Sequence, residues 1–302
     1  MTPPRIVAVV VTYNSASTIG QALAALRGCH DAGVARTVVV DNASTDDTKA
    51  ILDQNSDWIT IVDSPGNIGF GRGCNLGLAI VDEPYVVFVN PDAVIEQHAC
   101  RALAQFLDEN PRAAMVSPAI INTDGSVQHV GGITTPLSLI IAASGINIAP
   151  QGRKLAIPGT APFRTDWLCG ALIMARSSVL KELGGFDPRF FLYFEETDLC
   201  RRVSYGHELW AVPTAIATHV GGASSESSNQ SRMSNCVAEH YFQSRYYYLR
   251  KHFGIVRAAT TEICELVLVL LRAAGRRLQG RSSEDLTRRF GWPMFRIPEP
   301  RP

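Results

Sequence analysis

Four short apolar runs, three of them closed by a cluster of Asp, Asn, Ser or Thr, constrain this chain more than any other feature. Ile6–Val11 closes on Thr12-Tyr13-Asn14-Ser15, Thr37–Val40 on Asp41-Asn42-Ala43-Ser44, and Tyr85–Val89 on Asn90-Pro91-Asp92; Trp58–Val62 is the fourth run. A run that is apolar throughout reads as a strand buried on both faces. Helix signals lie between the runs. Ile19, Leu23 and Leu26 share one helical face, and Ser44 and Asp47 have the spacing of a capping box ahead of Ile51 and Leu52. A glycine-rich segment, Pro65–Gly77, leads into a third helix. Strands alternating with helices predict an α/β fold with a doubly wound, mainly parallel sheet. Ligands of such sheets bind at the carboxyl ends of the strands, where the polar clusters sit.

From Pro118 the alternation breaks down, and residues 118–165 read as a loop-rich insert. Trp167–Ala175 is strand-like, and Ser177 or Ser178 opens a short helix ended by Gly184-Gly185. Phe190–Asp198 leads into a helix through Leu199, Cys200 and Val203; Leu209–Val212 and Ala215–His219 look like short strands. Beyond residue 234 the chain reads as helical. The expected organisation is a catalytic domain over 1–233, with a nucleotide-binding half (about 1–117) and an acceptor half (about 118–233), followed by a helical extension over 234–302.

Basic and acidic residues balance at 28 each, so nothing in the overall charge attracts nucleic acid. The seven cysteines are scattered, without a Cys-x-x-Cys pair, which argues against a disulfide framework or zinc site and for reduced thiols in a cytoplasmic protein. The apolar run from Ile6 is too short for a secretory signal, and Leu137–Ile148 and Ile263–Leu271 are too short or interrupted for a membrane span. Arg272, Arg276, Arg277, Arg281, Arg288 and Arg289 follow Leu266–Leu271. They fit either a basic amphipathic patch in peripheral contact with an anionic membrane or a docking helix with a solvated face.

Several residues carry candidate chemistry. Asp41, at a strand end, fits either a helix N-cap or a carboxylate that accepts hydrogen bonds from a pyrimidine or ribose. The glycine-rich loop lacks the Gly-Lys-Ser/Thr of a P-loop and does not match Gly-x-Gly-x-x-Gly. Asp92 fits a turn residue after proline or a hard oxygen ligand for Mg²⁺ or Mn²⁺. Glu195, Glu196 and Asp198 put three carboxylates within four residues after an aromatic run. Such a cluster suits a general base with a raised pKa, or simply complements a helix dipole. His219 becomes a candidate metal ligand if Asp92 lies near it.

The order of these segments resembles the family 2 glycosyltransferases, and within them a bacterial rhamnosyltransferase-like group. The resemblance is carried by Val9–Asn14, Val40–Asp46, Gly66–Phe70, Asn90-Pro91-Asp92, Trp167–Ala171, Gly184–Asp187, Phe194–Cys200 and His219–Gly222, and spans roughly residues 5 to 253. It implies a GT-A fold and inverting transfer of a sugar from a nucleotide diphosphate, dTDP-rhamnose first and a UDP-sugar second, to a saccharide or lipid-linked acceptor. By resemblance, Thr12, Asn14, Asp41, Asn67, Gly69, Asn75, Asn90 and Asp92 bind the donor. Trp167, Gly170 and Ala171 shape the acceptor side, and Asp92 and His219 hold Mg²⁺ or Mn²⁺. Asn90 stands where the family motif has its first acid, which leaves one carboxylate fewer for the metal. Glu196 stands at the base position with Glu195 behind it, and Asp198 would orient the base or bind acceptor. A sugar nucleotidyltransferase would need a basic glycine-rich loop near the N-terminus, absent from Thr12–Ser15; a non-catalytic sugar-binding module would not need Asp92, Glu196 and His219 together.

Overall fold

The structure is a computed structural model, and it describes residues 4–146, 152–220, 235–283 and 288–298. The first half alternates as the apolar runs predict: β1 (Ile6–Thr12), α1 (Ile19–Asp31), β2 (Ala35–Asp41), α2 (Thr48–Asp53), β3 (Ile59–Asp63), α3 (Phe70–Leu78) and β4 (Tyr85–Val89). Then follow β5 (Ala93–Ile95), α4 (Gln97–Glu109), β6 (Ala113–Asn122), β7 (His129–Val130), α5 (Pro136–Ser144), β8 (Lys154–Leu155) and β9 (Phe163–Thr165). The remainder is β10 (Leu172–Arg176), α6 (Ser177–Glu182), α7 (Glu195–Val203), β11 (Glu208–His219), α8 (Asn235–Phe253) and α9 (Ile255–Leu278), with a 3-10 turn at Arg288–Gly291.

One sheet runs in the order β3-β2-β1-β4-β10-β6-β11-β5, with β9 beside β11. The strands β3, β2, β1 and β4 are parallel; β10 runs antiparallel to both β4 and β6, and β11 is parallel to β6 but antiparallel to β5 and β9. The unbroken parallel run is therefore β3-β2-β1-β4, on the nucleotide side, and β6 with β11 forms a separate parallel pair. Strand β1 shows why its run is apolar throughout. Ile6, Ala8 and Val10 enter the core under α1 and α4, while Val7, Val9 and Val11 enter the core under α3 and α7.

Local expectations need adjustment. Alternation persists through β6 to Asn122, so a division at residue 117/118 would cut a strand in two; the boundary at 233/234 lies outside the described residues. Trp167–Ala171 precedes the strand rather than belonging to it, because β10 starts at Leu172. The two short strands expected at 209–219 are one strand, irregular between Val212 and Ile216, where Pro213 interrupts the ladder. The capping box of Ser44 and Asp47 does not form. Ser44 Oγ instead accepts from Asn14 N (3.0 Å), and Asp46 Oδ1 accepts from Thr48 N (3.0 Å).

Helix α8 packs its aromatic residues against Phe190 and Phe194, making a third core cluster. Arg245 of α8 is buried with Glu262 and Glu265 of α9, and Arg289 reaches the same two carboxylates from the 3-10 turn. The guanidinium carbons of Arg245 and Arg289 lie 4.7 and 4.0 Å from the Phe242 ring centroid. Two cations and two anions neutralise one another there. Arg289 is thus not part of an exposed basic patch. Arg272 is half-buried, its Nη1 donating to the Ala143 carbonyl (2.8 Å) at the end of α5.

Candidate functional site

The parallel strands β2, β1 and β4 lie side by side, so Asp41, Thr12 and the Asn90-Pro91-Asp92 turn all gather at one edge of the sheet. Strand β5 then pairs with the end of β11, Ala93 opposite His219. That register, which no local pattern encodes, brings His219 Nε2 to 3.0 Å from Asp92 Oδ1, and Val220 N donates to the Asp92 carbonyl (2.8 Å). On its other side the imidazole Nδ1 meets Gln128 Nε2 at 2.7 Å. The buried Gln128 amide also donates to Asn122 Oδ1 (2.8 Å), and its Oε1 accepts from Cys169 Sγ (3.0 Å). With the amide donating to Nδ1, the ring proton sits on Nε2, directed at Asp92; Nε2 becomes a metal donor in the other tautomer, with the proton on Nδ1 and the Gln128 amide turned so that its oxygen accepts it. Sequence reasoning did not single out Gln128. Its role exists only once the segment before β7 folds back on β6, Gln128 N donating to the Ile120 carbonyl (2.8 Å), with β6 paired to β11.

No group of three or more His, Cys, Asp or Glu side chains able to hold a metal ion occurs among the described residues. Asp92 and His219 therefore offer a two-donor set, one carboxylate oxygen and one imidazole nitrogen at adjacent positions. This set fits Mg²⁺ or Mn²⁺, which commonly take one or two protein ligands and complete their shell with phosphate oxygens and water.

The carboxylate cluster opens α7 and separates into three environments. Tyr193 and Phe194 both adopt positive φ (68° and 67°), an uncommon pair for residues with side chains, and they turn the chain sharply into the helix. Glu195 points inward, only 5% exposed, and its Oε2 has no hydrogen-bond partner among the described residues. Burial, with Glu196 adjacent, holds its carboxyl well above the usual range. Glu196 is half-buried. Its Oε1 accepts from Thr197 Oγ1 (3.0 Å), whose hydroxyl in turn accepts from Trp167 Nε1 (3.0 Å). Burial also raises the Glu196 carboxyl, while these hydrogen bonds act in the opposite sense. Gly170 packs directly on this side chain: a Cβ there would lie 3.3 Å from Glu196 Cγ.

Asp198 departs from its expected part. It is fully buried, and its oxygens are taken by Arg202 (2.7 Å), His252 (2.8 Å) and Lys251 (2.6 Å). Burial alone would raise its pKa, but the His252 hydrogen bond and the charges of Arg202 and Lys251 bring it down to about 2. In this structure its carboxylate fastens α7 to α8.

The donor-side residues divide likewise. Asp41 is buried at the end of β2, with Oδ1 accepting from Ser44 N (3.2 Å). Asn14, at φ 50°, accepts from Thr45 N (2.8 Å) and so ties the end of β1 to the loop after β2. Asn67 Oδ1 accepts from Gly69 N and Asn42 Nδ2 (both 3.2 Å). Buried Asn42, not singled out in the sequence, also receives Ser64 Oγ (3.0 Å) and Ile68 N (3.1 Å), holding the glycine-rich loop in place. Three of the expected donor residues are packed or bonded within the protein. Thr12 is wholly buried, so it presents no surface to a ligand. Gly69 is pressed against the Phe191 carbonyl, 2.3 Å from where its Cβ would stand. Asn75 clamps the Phe186 backbone, donating to its carbonyl and accepting from its N–H (both 2.8 Å).

On the acceptor side, Asn90 N donates to the Ala171 carbonyl (3.0 Å), which seats the Gly170-Ala171 turn beside the end of β4. Asn90, Asp92 and His219 are thereby joined through Gly170 to Glu196, with Trp167 reaching Glu196 through Thr197. A carboxylate and an imidazole able to take a divalent cation, linked through the Gly170 turn to a half-buried carboxylate of raised pKa, suit displacement at a carbon bearing a phosphate leaving group.

Comparison with known proteins agrees with this arrangement. The sequence model described as "Glycosyl transferase family 2" matches residues 7–170. The chain is 28% identical over 274 residues to an N-acetylglucosaminyl-diphospho-decaprenol L-rhamnosyltransferase of Mycobacterium tuberculosis, covering 83% of this chain and 86% of the relative. It is 28% identical over 169 residues to rhamnosyltransferase WbbL of Escherichia coli, covering 52% and 62%. Among solved structures it is similar to mannosyltransferase PcManGT of Pyrobaculum calidifontis in complex with GDP-Man and Mn²⁺ (TM-score 0.58, 17% identity, 96% of this chain and 79% of that one). It is also similar to S. aureus TarS 1-349 in complex with UDP (TM-score 0.56, 16% identity, 88% and 65%). These likenesses show the fold, which is that of the GT-A glycosyltransferases.

Proposed function

The chain belongs to glycosyl transferase family 2, and from that premise we propose that it transfers a sugar, with inversion, from a nucleotide diphosphate to a saccharide or lipid-linked acceptor in cell-surface polysaccharide synthesis. The observation that carries this reading is the linkage of Asp92 and His219, through the Asn90–Ala171 hydrogen bond and Gly170, to the Glu196 carboxylate. dTDP-rhamnose is the donor favoured, because two relatives are named rhamnosyltransferases, with a UDP-sugar as the second reading. A lipid-linked acceptor follows the name of the mycobacterial relative.

Asp41, Asn14 and Asn67 frame the nucleoside side at the ends of β1 and β2, and Asn90 and Asp92 face the diphosphate. Asp92 and His219 would hold Mg²⁺ or Mn²⁺; when bound, the ion offsets the negative charge developing on the leaving diphosphate. Glu196 is the base. Thr197 donates to Oε1, and we assign Oε2 to the proton of the acceptor hydroxyl. The acceptor oxygen attacks the anomeric carbon on the face opposite the diphosphate. The carbon–oxygen bond to the diphosphate breaks, its electron pair leaves with the phosphate oxygen, and the proton passes to Glu196. A raised carboxyl pKa makes Glu196 a stronger base than a solvated glutamate. Glu195, buried in the core, supports Glu196 from behind rather than replacing it. No helix among the described residues is long and apolar enough to cross a bilayer.

Calorimetric titration with dTDP, UDP and GDP, each with and without Mn²⁺, tests the donor assignment. Binding of one pyrimidine diphosphate that strengthens with Mn²⁺ and is lost in Asp92→Ala supports it. Binding of none of the three overturns the nucleotide site.

A further inference from the structure

Helix α9 is built inside out. Its buried side carries Thr261, Glu262 and Glu265 beside Ala258, Val269 and Ala273, and the two carboxylates are neutralised by Arg245 and Arg289. Its opposite side carries Val256 (75% exposed), Ile263, Val267, Leu270, Leu271 (64%) and Leu278 (90%). At 3.6 residues per turn these six side chains fall within an arc of about 100°, a continuous stripe running the length of the helix. An ordinary surface helix has the reverse polarity. Helix α5 extends the stripe. It packs on α9, contains no charged residue, and leaves Leu137 (66%) and Ile146, just beyond its end, exposed. Arg272 of α9 fixes the pair by donating to the Ala143 carbonyl, where α5 ends.

The charges around the stripe decide what covers it. Both acidic residues of α9 are buried and paired, so every exposed charge on the helix is an arginine. Arg257 and Arg277 stand at its two edges. A second copy docked by two-fold symmetry would set these arginines against each other. Anionic lipid headgroups would complement them while the acyl region receives the apolar stripe. An apolar stripe edged by cations on a helix that cannot span a bilayer has the geometry of a helix lying in the plane of a membrane surface.

We infer that the α5–α9 face docks this protein onto an anionic lipid surface. The inference deepens the proposed function, and rests on it only in making a lipid-linked acceptor the reason for docking. The face is tied to the acceptor side of the site, since Gly131 N donates to the Trp167 carbonyl (2.8 Å) and Tyr248 Oη donates to the Thr134 carbonyl (3.1 Å), one residue before the cap of α5. Docking would present the Trp167–Gly170 segment near the lipid surface.

Co-sedimentation of the full chain with phosphatidylcholine vesicles, with and without phosphatidylglycerol, tests this. The protein should partition onto the phosphatidylglycerol vesicles, and high salt should weaken that partition. Leu271→Glu and Leu278→Glu, at exposed positions that leave the core intact, should each lower the partition coefficient about tenfold or more, since burying one leucine contributes on the order of 1.5–3 kcal/mol. Their dTDP affinity and melting temperature should match the wild type. Wild-type protein that stays in the supernatant with both vesicle types, or variants that partition equally well, would overturn the inference. So would a solution dimer that either substitution dissociates, which would assign the face to a second copy. Wild-type protein that binds dTDP but neither vesicle type refutes the docking face alone; absence of dTDP binding refutes the donor reading and leaves the vesicle result standing.

Discussion

Gly170 separates the proposed base from the acceptor turn, and replacing it with alanine perturbs that contact with little else. The added Cβ would stand 3.3 Å from Glu196 Cγ, 3.5 Å from Cβ and 3.8 Å from Cδ. Carbon atoms rest at about 3.5–4.0 Å, so only the first contact is tight, by a few tenths of an ångström. Gly170 does not occupy the left-handed region, so alanine is admissible there. Glu196, half-buried and held at Oε1 by Thr197, must absorb the shift. A displacement of about 1 Å in a catalytic group costs on the order of 100-fold in rate, so a few tenths should lower kcat about tenfold. Donor affinity should hold, because the nucleotide side is framed by β1 and β2. Nucleoside diphosphate release in the presence of acceptor, with calorimetric dTDP binding alongside, separates the two effects. Gly73→Ala is the contrast. Its Cβ would lie 2.6 Å from Val11 Cγ1 in the core, so it should lower stability first. Wild-type kcat in Gly170→Ala, or a loss of donor affinity that accounts for the whole loss of rate, would refute the placement of Glu196.

Asn75→Ala should lower the melting temperature by several degrees and leave dTDP affinity unchanged, because it strands the N–H and carbonyl of buried Phe186, about 1–3 kcal/mol for each unsatisfied group; unchanged stability would contradict the clamp. Asp198, depressed from 3.8 to about 2, contributes stability that is present above its unfolded pKa and is lost as pH falls towards 2. That contribution is about 2 kcal/mol, and Asp198→Asn should flatten this acid limb in pH-dependent melting. Glu262→Ala leaves Arg245 and Arg289 with one carboxylate between them in a buried site. It should cost about 3–5 kcal/mol by chemical denaturation; a loss below about 1 kcal/mol would show the four-charge network to be dispensable.

What the sequence disclosed and what it hid follow from the range of the interactions. The runs ending at Thr12, Asp41 and Asn90 were legible because a strand buried on both faces must be apolar throughout, and its end is the first place polar residues can stand. Helix α1 was legible from Ile19, Leu23 and Leu26 for the same local reason. Asp92 and His219 could be paired only by resemblance, since the contact depends on β5 adding antiparallel to β11 across 127 residues. Nothing local told Asn75, turned into the fold to clamp Phe186, from Asn14 at the rim; both are asparagines beside a strand end or a glycine. Asp198 sat in the same acidic cluster as Glu196, but the cations that occupy it come from α7 itself and from α8, some fifty residues on. The arginines beyond residue 270 read as a surface patch, whereas Arg289 is drawn inward by carboxylates that α9 buries. Polarity along a helix discloses which face is inside only when the buried face is apolar, and α9 reverses that rule.

The central claim is that Glu196, seated under Gly170 and linked through the Asn90–Ala171 hydrogen bond to the Asp92–His219 pair, takes the acceptor's proton. Single-turnover transfer from dTDP-rhamnose to a lipid-linked saccharide, measured for wild type, Glu196→Gln and Glu195→Gln with dTDP affinity determined for each, tests it most directly. The account predicts wild-type affinity in all three, a loss of rate of about 100-fold or more in Glu196→Gln, and a rate within a few-fold of wild type in Glu195→Gln, whose side chain is buried in the core. Full turnover in Glu196→Gln, or its loss only in Glu195→Gln, would contradict the account.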